Sequence, residues 1–172
     1  LSVVKFSPFR GGSYIPLPPG LAKHTHSIIN VRNEDNELCF PLSILAKLYP
    51  AAYHKERQTH YLPYLNQLNL EGFSFPMTLK QIPRFEQINQ LSINVYGFED
   101  GTLYPMYISD SLYVQAHQQI DLLLLSEESQ PDDCDGILAL EDHMEGMEID
   151  NPPNTHFCLI NNLSALIRRD RK

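Results

Sequence analysis

Apolar residues follow a helical spacing in the first half of the chain. Starting at Phe40, an apolar residue returns every fourth position, which predicts a helix over 39–48 that Pro50 stops. Two further helical stretches are predicted, one at about 51–68, for which a break at Pro63 is left open, and one at 78–89. Helices therefore dominate the predicted structure up to about residue 90.

The spacing changes to that of strands in the second half. Apolar runs bounded by turn residues predict four strands there, and one short apolar run precedes the first helix. These five segments cover 27–31, 92–98, 102–109, 120–125 and 156–160. A Glu99-Asp100-Gly101 turn joins the second strand to the third. Helices followed by strands indicate an α+β fold, with N-terminal helices packed on an antiparallel sheet.

The chain is divided into an arm and one domain. Residues 1–27 are rich in Pro, Gly and Ser and are expected to form an extended N-terminal arm without regular structure. Residues 28–172 are long enough to bury one hydrophobic core. No apolar run approaches the length that crosses a bilayer, so a membrane is not expected as a partner.

Negative charge is concentrated in one segment. The net charge is −8 and the isoelectric point is near 5.3. Residues 126–150 hold a dense series of Asp and Glu without Lys or Arg, which indicates an acidic surface insertion at about 127–153. Most such runs are simply solvated, although this one could guard the site or recruit a basic substrate. A nucleic acid is not expected to bind this domain, because phosphate binding needs clustered Lys and Arg.

The three cysteines are Cys39, Cys134 and Cys158, and no two of them form a Cys-x-x-Cys pair. A structural zinc site is therefore not expected, and the sequence suggests neither a metal nor a cofactor. An odd number of cysteines, with no charged-then-apolar leader, indicates free thiols in a reducing intracellular compartment, either cytoplasm or nucleus.

Cys39 is the candidate nucleophile because it opens a predicted helix directly after a polar turn. Peptide N–H groups and the positive end of the helix dipole stabilise a thiolate there and can hold an oxyanion. The alternative reading is that Cys39 is a small core residue, as buried cysteines often are. For the oxyanion, Asn36 and Asn33 both stand in the turn, and Asn36 is the closer candidate.

His156 is the candidate general base, because it begins the last predicted strand while the other six histidines fall in segments typical of the surface. A base needs an orienting partner. Asn154 lies two residues earlier and would point the same way along a strand, so its amide oxygen is the first candidate. Asp150 is the second candidate, although two prolines separate it from the strand.

Several short motifs, taken in order, resemble a segment upstream of the protein-primed DNA polymerase in Maverick/Polinton mobile elements. They cover most of the chain outside 127–153. The motifs are S-Y-I-P-L-P at 13–18, I-I-N at 28–30, N-E-D-N-E-L-C-F at 33–40, S-I-N-V-Y-G-F-E at 92–99, Y-P at 104–105 and H-F-C-L-I-N-N-L-S at 156–164.

The same order of motifs resembles papain-like deubiquitinases of the ovarian-tumour and herpesvirus large-tegument types. In the former, an Asp-Gly-Asn-Cys turn opens a helix, and a His-aromatic pair begins a late strand; here Cys39 and His156-Phe157 occupy those places. The tegument type has an acidic residue where this chain has Asn154. The resemblance implies a papain-like fold with Cys39 as nucleophile and His156 as base.

The function that the resemblance implies is thiol-dependent hydrolysis after the C-terminal glycines of ubiquitin or a ubiquitin-like modifier. Such a modifier would be the partner, and its basic tail would suit an acidic protein. A polyprotein-processing cysteine protease of a mobile element is the second hypothesis. The third is a non-catalytic accessory module of a replication polyprotein.

Overall fold

Five strands form one sheet in the computed structural model, which describes residues 14–110, 119–126 and 154–169. In chain order they are β1 (Ile28–Ile29), β2 (Ser92–Glu99), β3 (Thr102–Tyr107), β4 (Gln119–Ser126) and β5 (Thr155–Ile160). Their order across the sheet is β1-β5-β4-β2-β3. Together with three α-helices in the described part of the chain, they form an α+β architecture, as the sequence predicted.

The sheet is mixed, so the prediction of a purely antiparallel sheet was wrong. β2 and β4 pair in parallel, with Ile93 opposite Ile120 and Val95 opposite Leu122. One side of β2 is already paired with β3 through a tight hairpin, so β4 pairs with the other side. β4 starts at the same end of the sheet as β2, with Gln119 opposite Ser92, and the two strands therefore run in the same direction. The nearly continuous apolar run of β4 fits a central strand that is covered on both faces.

Two antiparallel pairs of the sheet, β2–β3 and β4–β5, join strands that are consecutive in the chain. Asp100 and Gly101 have positive φ angles of 52° and 79°, and they close the β2–β3 hairpin at the turn that the sequence predicted. β4 and β5 pair antiparallel, with Asp121 opposite Ile160 at one end and Ser126 opposite Thr155 at the other. The last described residue before the acidic segment therefore lies beside the first residue of β5.

The helices differ in how well the sequence predicted them. The first, α1 (Cys39–Leu48), has the predicted bounds. The predicted stretch at 78–89 is a short 3₁₀ turn followed by α2 (Ile82–Asn89). A further helix, α3 (Leu163–Arg169), was not predicted.

The prediction of a helix at about 51–68 was wrong. The helical segments in that part of the chain are 3₁₀ turns, at Gln58–His60 and Leu62–Gln67. Pro63 supplies no N–H to a helical ladder, and the bonds that form span three residues, as from Tyr64 N–H to the carbonyl oxygen of Tyr61.

Side chains pack against both faces of the sheet. On one face, α1 is buried through its first eight residues, and the Phe40 ring lies 5.0 Å from that of Phe85 and 5.1 Å from that of Phe157, measured between centroids. On the other face, Ile15 and Leu21 of the N-terminal arm pack with α3 against β4 and β5. Residues 14–27 thus form part of the packed structure without being a strand or a helix up to the start of β1.

Several predictions fall outside the described residues. These are the first part of the arm, the acidic insertion at 127–153, Asp150 and Cys134. Within the described ranges, none of the helices has the length and apolar character that would let it cross a bilayer.

Candidate active site

The turn before Cys39 is held by its own asparagines. The Asn33 side-chain amide donates to the carbonyl oxygen of Asn36 at 2.9 Å, and Asn36 Oδ1 accepts the N–H of Leu38 at 3.0 Å. Asn36 Nδ2 donates to Gln58 Oε1 at 2.8 Å and to the carboxylate of Asp35 at 3.1 Å. These bonds fix the chain so that α1 begins at Cys39, with the positive end of its dipole at the thiol.

Helix α1 forms two hydrogen bonds with β5 at Phe157. The N–H of Phe157 donates to Cys39 Sγ at 3.4 Å, and its carbonyl oxygen accepts the Ser43 hydroxyl at 3.1 Å. Cys39 and Ser43 are four residues apart and lie on one face of the helix. β1 pairs with β5 at Ile160 and Leu159 and does not extend to Phe157. The backbone N–H and carbonyl oxygen of Phe157 bond to side chains of α1 instead. The short β1 therefore lets the candidate nucleophile lie beside β5.

His156 is the residue immediately before that contact. Its side chain is fully buried, and its Nε2 lies 2.5 Å from Oδ1 of Asn30, at the end of β1. The other half of the Asn30 amide donates to the carbonyl oxygen of Ile15 at 2.9 Å, which orients Oδ1 toward the ring. Because an amide oxygen only accepts, this contact is a hydrogen bond in the forms of the ring that carry a hydrogen on Nε2.

The arm covers the imidazole. The ring of Tyr14 meets that of His156 edge-on, with 5.5 Å between centroids and 71° between planes. The guanidinium of Arg32 lies 5.9 Å from the centroid of the same tyrosine. Cys39 is also fully buried, so its thiol is shielded from solvent by the residues around it.

The structure brings the regions of Cys39 and His156 together, because the thiol contacts the backbone of the residue that follows the histidine. Asn154 is half-buried and directly precedes β5, and its orienting role stays a prediction. Asn36 stabilises the turn with both ends of its amide. Its role as an oxyanion donor also stays a prediction, and it would require Nδ2 to leave its present acceptors.

Cys158 has the environment of a core residue. It lies on the same face of β5 as His156, is fully buried and packs with the apolar cluster that contains Ile15 and Leu123. Burial raises the pKa of its thiol well above the ordinary range, and the nearby thiol of Cys39 raises it further. A raised pKa favours the neutral thiol, which fits a packing role for Cys158.

Asn30 and Tyr14 contact His156, and sequence reasoning did not single them out as site residues. Both fall inside motifs quoted above, Asn30 in I-I-N and Tyr14 in S-Y-I-P-L-P, but neither motif indicated a contact with the histidine. Their contact with His156 depends on the pairing of β1 with β5 and on the course of the arm across the sheet. Neither leaves a local signal in the sequence.

The described part of the chain has no cluster of three or more His, Cys, Asp or Glu residues arranged to hold a metal ion. A thiol at a helix N-terminus and a buried imidazole held by an amide oxygen are the types of group that nucleophilic and general-base chemistry needs. The thiol contacts the backbone of Phe157, whereas the imidazole lies on the face of β5 that also carries Cys158. Comparison with protein-family models, curated proteins and solved structures gave no match.

Proposed function

We propose that this protein is a thiol-dependent hydrolase in which Cys39 is the nucleophile, His156 is the general base and Asn30 orients the imidazole. The observation that carries the proposal is the bonding of α1 to Phe157, which puts the thiol beside the histidine-bearing end of β5. The N–H donated to Sγ and the helix dipole both favour thiolate over thiol.

The chemistry follows from these atoms. Nδ1 of His156 takes the proton from Cys39 Sγ, and the thiolate attacks the substrate carbonyl carbon. The C–N bond then breaks as the imidazolium returns its proton to the leaving amine, which leaves a thioester on Cys39. Water, deprotonated by the same imidazole, hydrolyses the thioester and restores the thiol. Asn30 keeps the ring in the tautomer that this sequence of steps needs.

The substrate class rests on the resemblance to papain-like deubiquitinases. We infer that the scissile bond follows the C-terminal glycines of ubiquitin or a ubiquitin-like modifier. The net charge of −8 supports encounter with the basic tail of such a modifier. Cleavage of a polyprotein by the same thiol is the second candidate, and the buried position of Cys39 and His156 supports a site that opens only for a particular partner.

The test is incubation of the full chain with ubiquitin that carries a C-terminal electrophile. We expect a covalent adduct in the wild type and in Cys158→Ala, and none in Cys39→Ala. Labelling of Cys39 by a small thiol reagent, without reaction with the ubiquitin probe, would favour the polyprotein protease. Full hydrolytic activity in Cys39→Ala would overturn the proposal.

A further inference from the structure

A cavity of about 410 Å³ lies where the sheet divides. The parallel pairing of β2 with β4 ends at Tyr96 opposite Leu123, although β2 continues to Glu99 and β4 to Ser126. Beyond that point β2 is paired with β3 and β4 with β5, on the outer sides of the two strands. The cavity lies between the two strand ends, and residues of the arm form part of its wall. Its size is that of a ligand site.

The position of the cavity in the sheet is typical of binding sites. In open α/β sheets, ligands bind outside the carboxyl ends of parallel strands, where neighbouring strands are connected to opposite sides of the sheet. The same relation holds here, because β3, which follows β2, lies on one side of the parallel pair and β5, which follows β4, lies on the other. The topology therefore indicates a crevice that a ligand can enter.

The Tyr104 ring forms a fixed wall of this cavity. A Cβ atom at Gly97 would lie only 2.5 Å from Cζ of Tyr104, so the ring packs directly on the glycine backbone, and a larger residue at position 97 would displace it. Tyr104 is nevertheless 40% exposed, and Met106, which also lines the cavity, is 39% exposed. An aromatic ring is thus held in place where a ligand can contact it.

The charge at the cavity is negative. Among the residues that line it, Glu99 is the one with a charged side chain, and it forms no ion pair with the residues that the structure describes. The sequence contains no Lys or Arg from residue 85 to residue 167, so β2, β3, β4 and β5 contribute no permanent cation. A ligand that is apolar in part and carries a positive charge is complementary to this lining.

The apolar and the charged parts of the lining lie on opposite faces of the sheet. Phe98 and Leu125 belong to the apolar cluster on the face that the arm covers. Tyr104 is opposite Gly97 on the other face, and Glu99 shares that face because it lies two residues beyond Gly97 in the same strand. Successive side chains of an extended peptide also point to opposite faces. Such a peptide can therefore direct an apolar side chain to one part and a cation to the other.

The strand ends also favour an extended peptide over a compact ligand. Beyond Leu123, the edge of β4 that faces β2 has no partner strand in the described part of the chain. A peptide can bond to such an edge by strand addition. The outer edge of β3 is a poorer place for it, since Pro105 has no N–H and the β2–β3 register is interrupted between Val95 and Tyr96.

We propose that this cavity binds an extended segment of a basic partner protein, in which an apolar residue is followed directly by Lys or Arg. The apolar side chain packs beside Phe98 and Leu125. The cation lies between the Glu99 carboxylate and the face of the Tyr104 ring, which both attract it. The inference does not rest on the proposed function, because neither Cys39 nor His156 lines the cavity.

The test measures binding of synthetic peptides to the full chain by fluorescence anisotropy. The probes are fluorescein-labelled hexapeptides Thr-Val-X-Z-Val-Thr, in which X is Leu or Ser and Z is Lys, Gln or Glu. Thr and Val favour the extended form. We expect the Leu-Lys peptide to bind about 10-fold more tightly than the Leu-Gln peptide at low salt, the size of one charge-assisted contact. The Leu-Glu peptide should bind most weakly, and Ser at X should weaken binding of every peptide.

Variants of the lining separate this site from general charge attraction. Glu99→Gln should abolish the preference for Lys over Gln and leave the affinity for the Leu-Gln peptide unchanged. Tyr104→Leu should reduce the preference, whereas Tyr104→Phe should keep it because the aromatic face remains. Asp100→Asn is the matched control, because Asp100 is the adjacent exposed carboxylate, does not line the cavity and sits in a turn that Asn also suits. It should leave most of the preference, and melting temperatures confirm that each variant is folded.

Equal binding of the Leu-Lys and Leu-Gln peptides, or no measurable binding of any peptide, would overturn the inference. Equal losses in Asp100→Asn and Glu99→Gln would also overturn it. Displacement of the Leu-Lys peptide by n-hexylamine at the same concentration would assign the cavity to small cations, and a dimer in sedimentation that excludes the peptide would assign it to a second copy of the chain. Either result overturns the proposed occupant. Cys39→Ala should bind the peptides like the wild type, so this outcome is separate from the ubiquitin-probe adduct.

Discussion

Oδ1 of Asn30 lies 2.5 Å from Nε2 of His156, although the two residues are 126 positions apart in the chain. The contact forms because β1 and β5 are neighbours and because the carbonyl oxygen of Ile15 holds the other half of the amide. The arm, the first strand and the last strand thus meet at one imidazole. Changes in the arm should consequently affect the site as well as stability.

Loss of the Asn30 amide should reduce activity more than loss of the Asn154 amide. We expect Asn30→Ala to lower kcat by about 10- to 100-fold, because the imidazole then adopts the required tautomer and orientation only part of the time. His156→Ala should lower it further, because the base itself is lost. Initial rates on one fluorogenic substrate, at one enzyme concentration, give the comparison.

Asn30→Asp serves as the control for this prediction, because it retains an acceptor oxygen and should recover part of the activity. If Asn154→Ala proves more damaging than Asn30→Ala, the orienting residue is Asn154, as the sequence first indicated. Melting temperatures of the variants separate loss of positioning from loss of folding.

Ser43→Ala should weaken the attachment of α1 to β5. The Ser43 hydroxyl is buried and donates to the carbonyl oxygen of Phe157, so its removal leaves that acceptor without this donor. We expect a loss of about 1–2 kcal/mol in the free energy of unfolding. Urea denaturation measures it, with the exposed Ser164→Ala as the matched control. An unchanged midpoint in Ser43→Ala would contradict the assigned bond.

Glu86 joins α2 to the sheet. Its carboxylate accepts the N–H of Ile93 at 3.0 Å and the hydroxyls of Tyr107 and Ser109, and only 3% of the residue is exposed. Glu86→Ala leaves one buried donor, the N–H of Ile93, and two half-buried hydroxyls without this acceptor, and we expect a loss of about 2–3 kcal/mol. Replacement of the exposed neighbour Gln87 by Ala should change stability by less than about 0.5 kcal/mol. Urea unfolding of both variants tests the difference.

Stability should fall at alkaline pH because of Tyr107. Burial, the hydrogen bond to Glu86 and the negative charges of Glu86 and Asp110 raise the pKa of Tyr107 above its ordinary value of 10.0. The unfolded chain therefore loses this proton at a lower pH than the folded chain. The contribution is fully present below pH 10 and is lost as the pH rises above it toward the folded-state pKa.

Thermal unfolding between pH 8 and 11 provides the measurement for this prediction. Tyr107→Phe should lower the melting temperature at pH 8 and reduce its dependence on pH above 10. Tyr53→Phe is the control, because Tyr53 is 79% exposed and should alter neither. Identical alkaline profiles for wild type and Tyr107→Phe would contradict the prediction.

Local features of the sequence predicted the individual elements well. The polar turn, the four-residue apolar spacing and Pro50 fixed the bounds of α1, and Asp100-Gly101 fixed the β2–β3 hairpin. The stretch at 51–68 was misread because its apolar residues suit a helix, whereas the chain there forms 3₁₀ turns, one of which has Pro63 at its start. Pro63 was visible in the sequence, but the apolar spacing was given more weight.

Relations between distant elements were beyond the sequence pattern. The parallel pairing of β2 with β4 depends on how the chain returns across the sheet, and the contact of Asn30 with His156 depends on the pairing of β1 with β5. Cys39 and His156 were singled out because a helix start and a strand start are local signals, and their roles stay predictions. The contact between Asn30 and His156 has no such signal, so the sequence pointed to the asparagine nearest to His156 in the chain.

The register that places Ser126 opposite Thr155 has a consequence for chain entropy. The pairing of β4 with β5 holds Ser126 and Thr155 next to each other. A tight hairpin turn could connect two strand ends at this distance. Closing a connection of about thirty residues costs only about 1–2 kcal/mol more than closing a short one. Selection for folding therefore acts weakly on length at this point, and related chains should be free to gain or lose residues here while β4 and β5 keep their register.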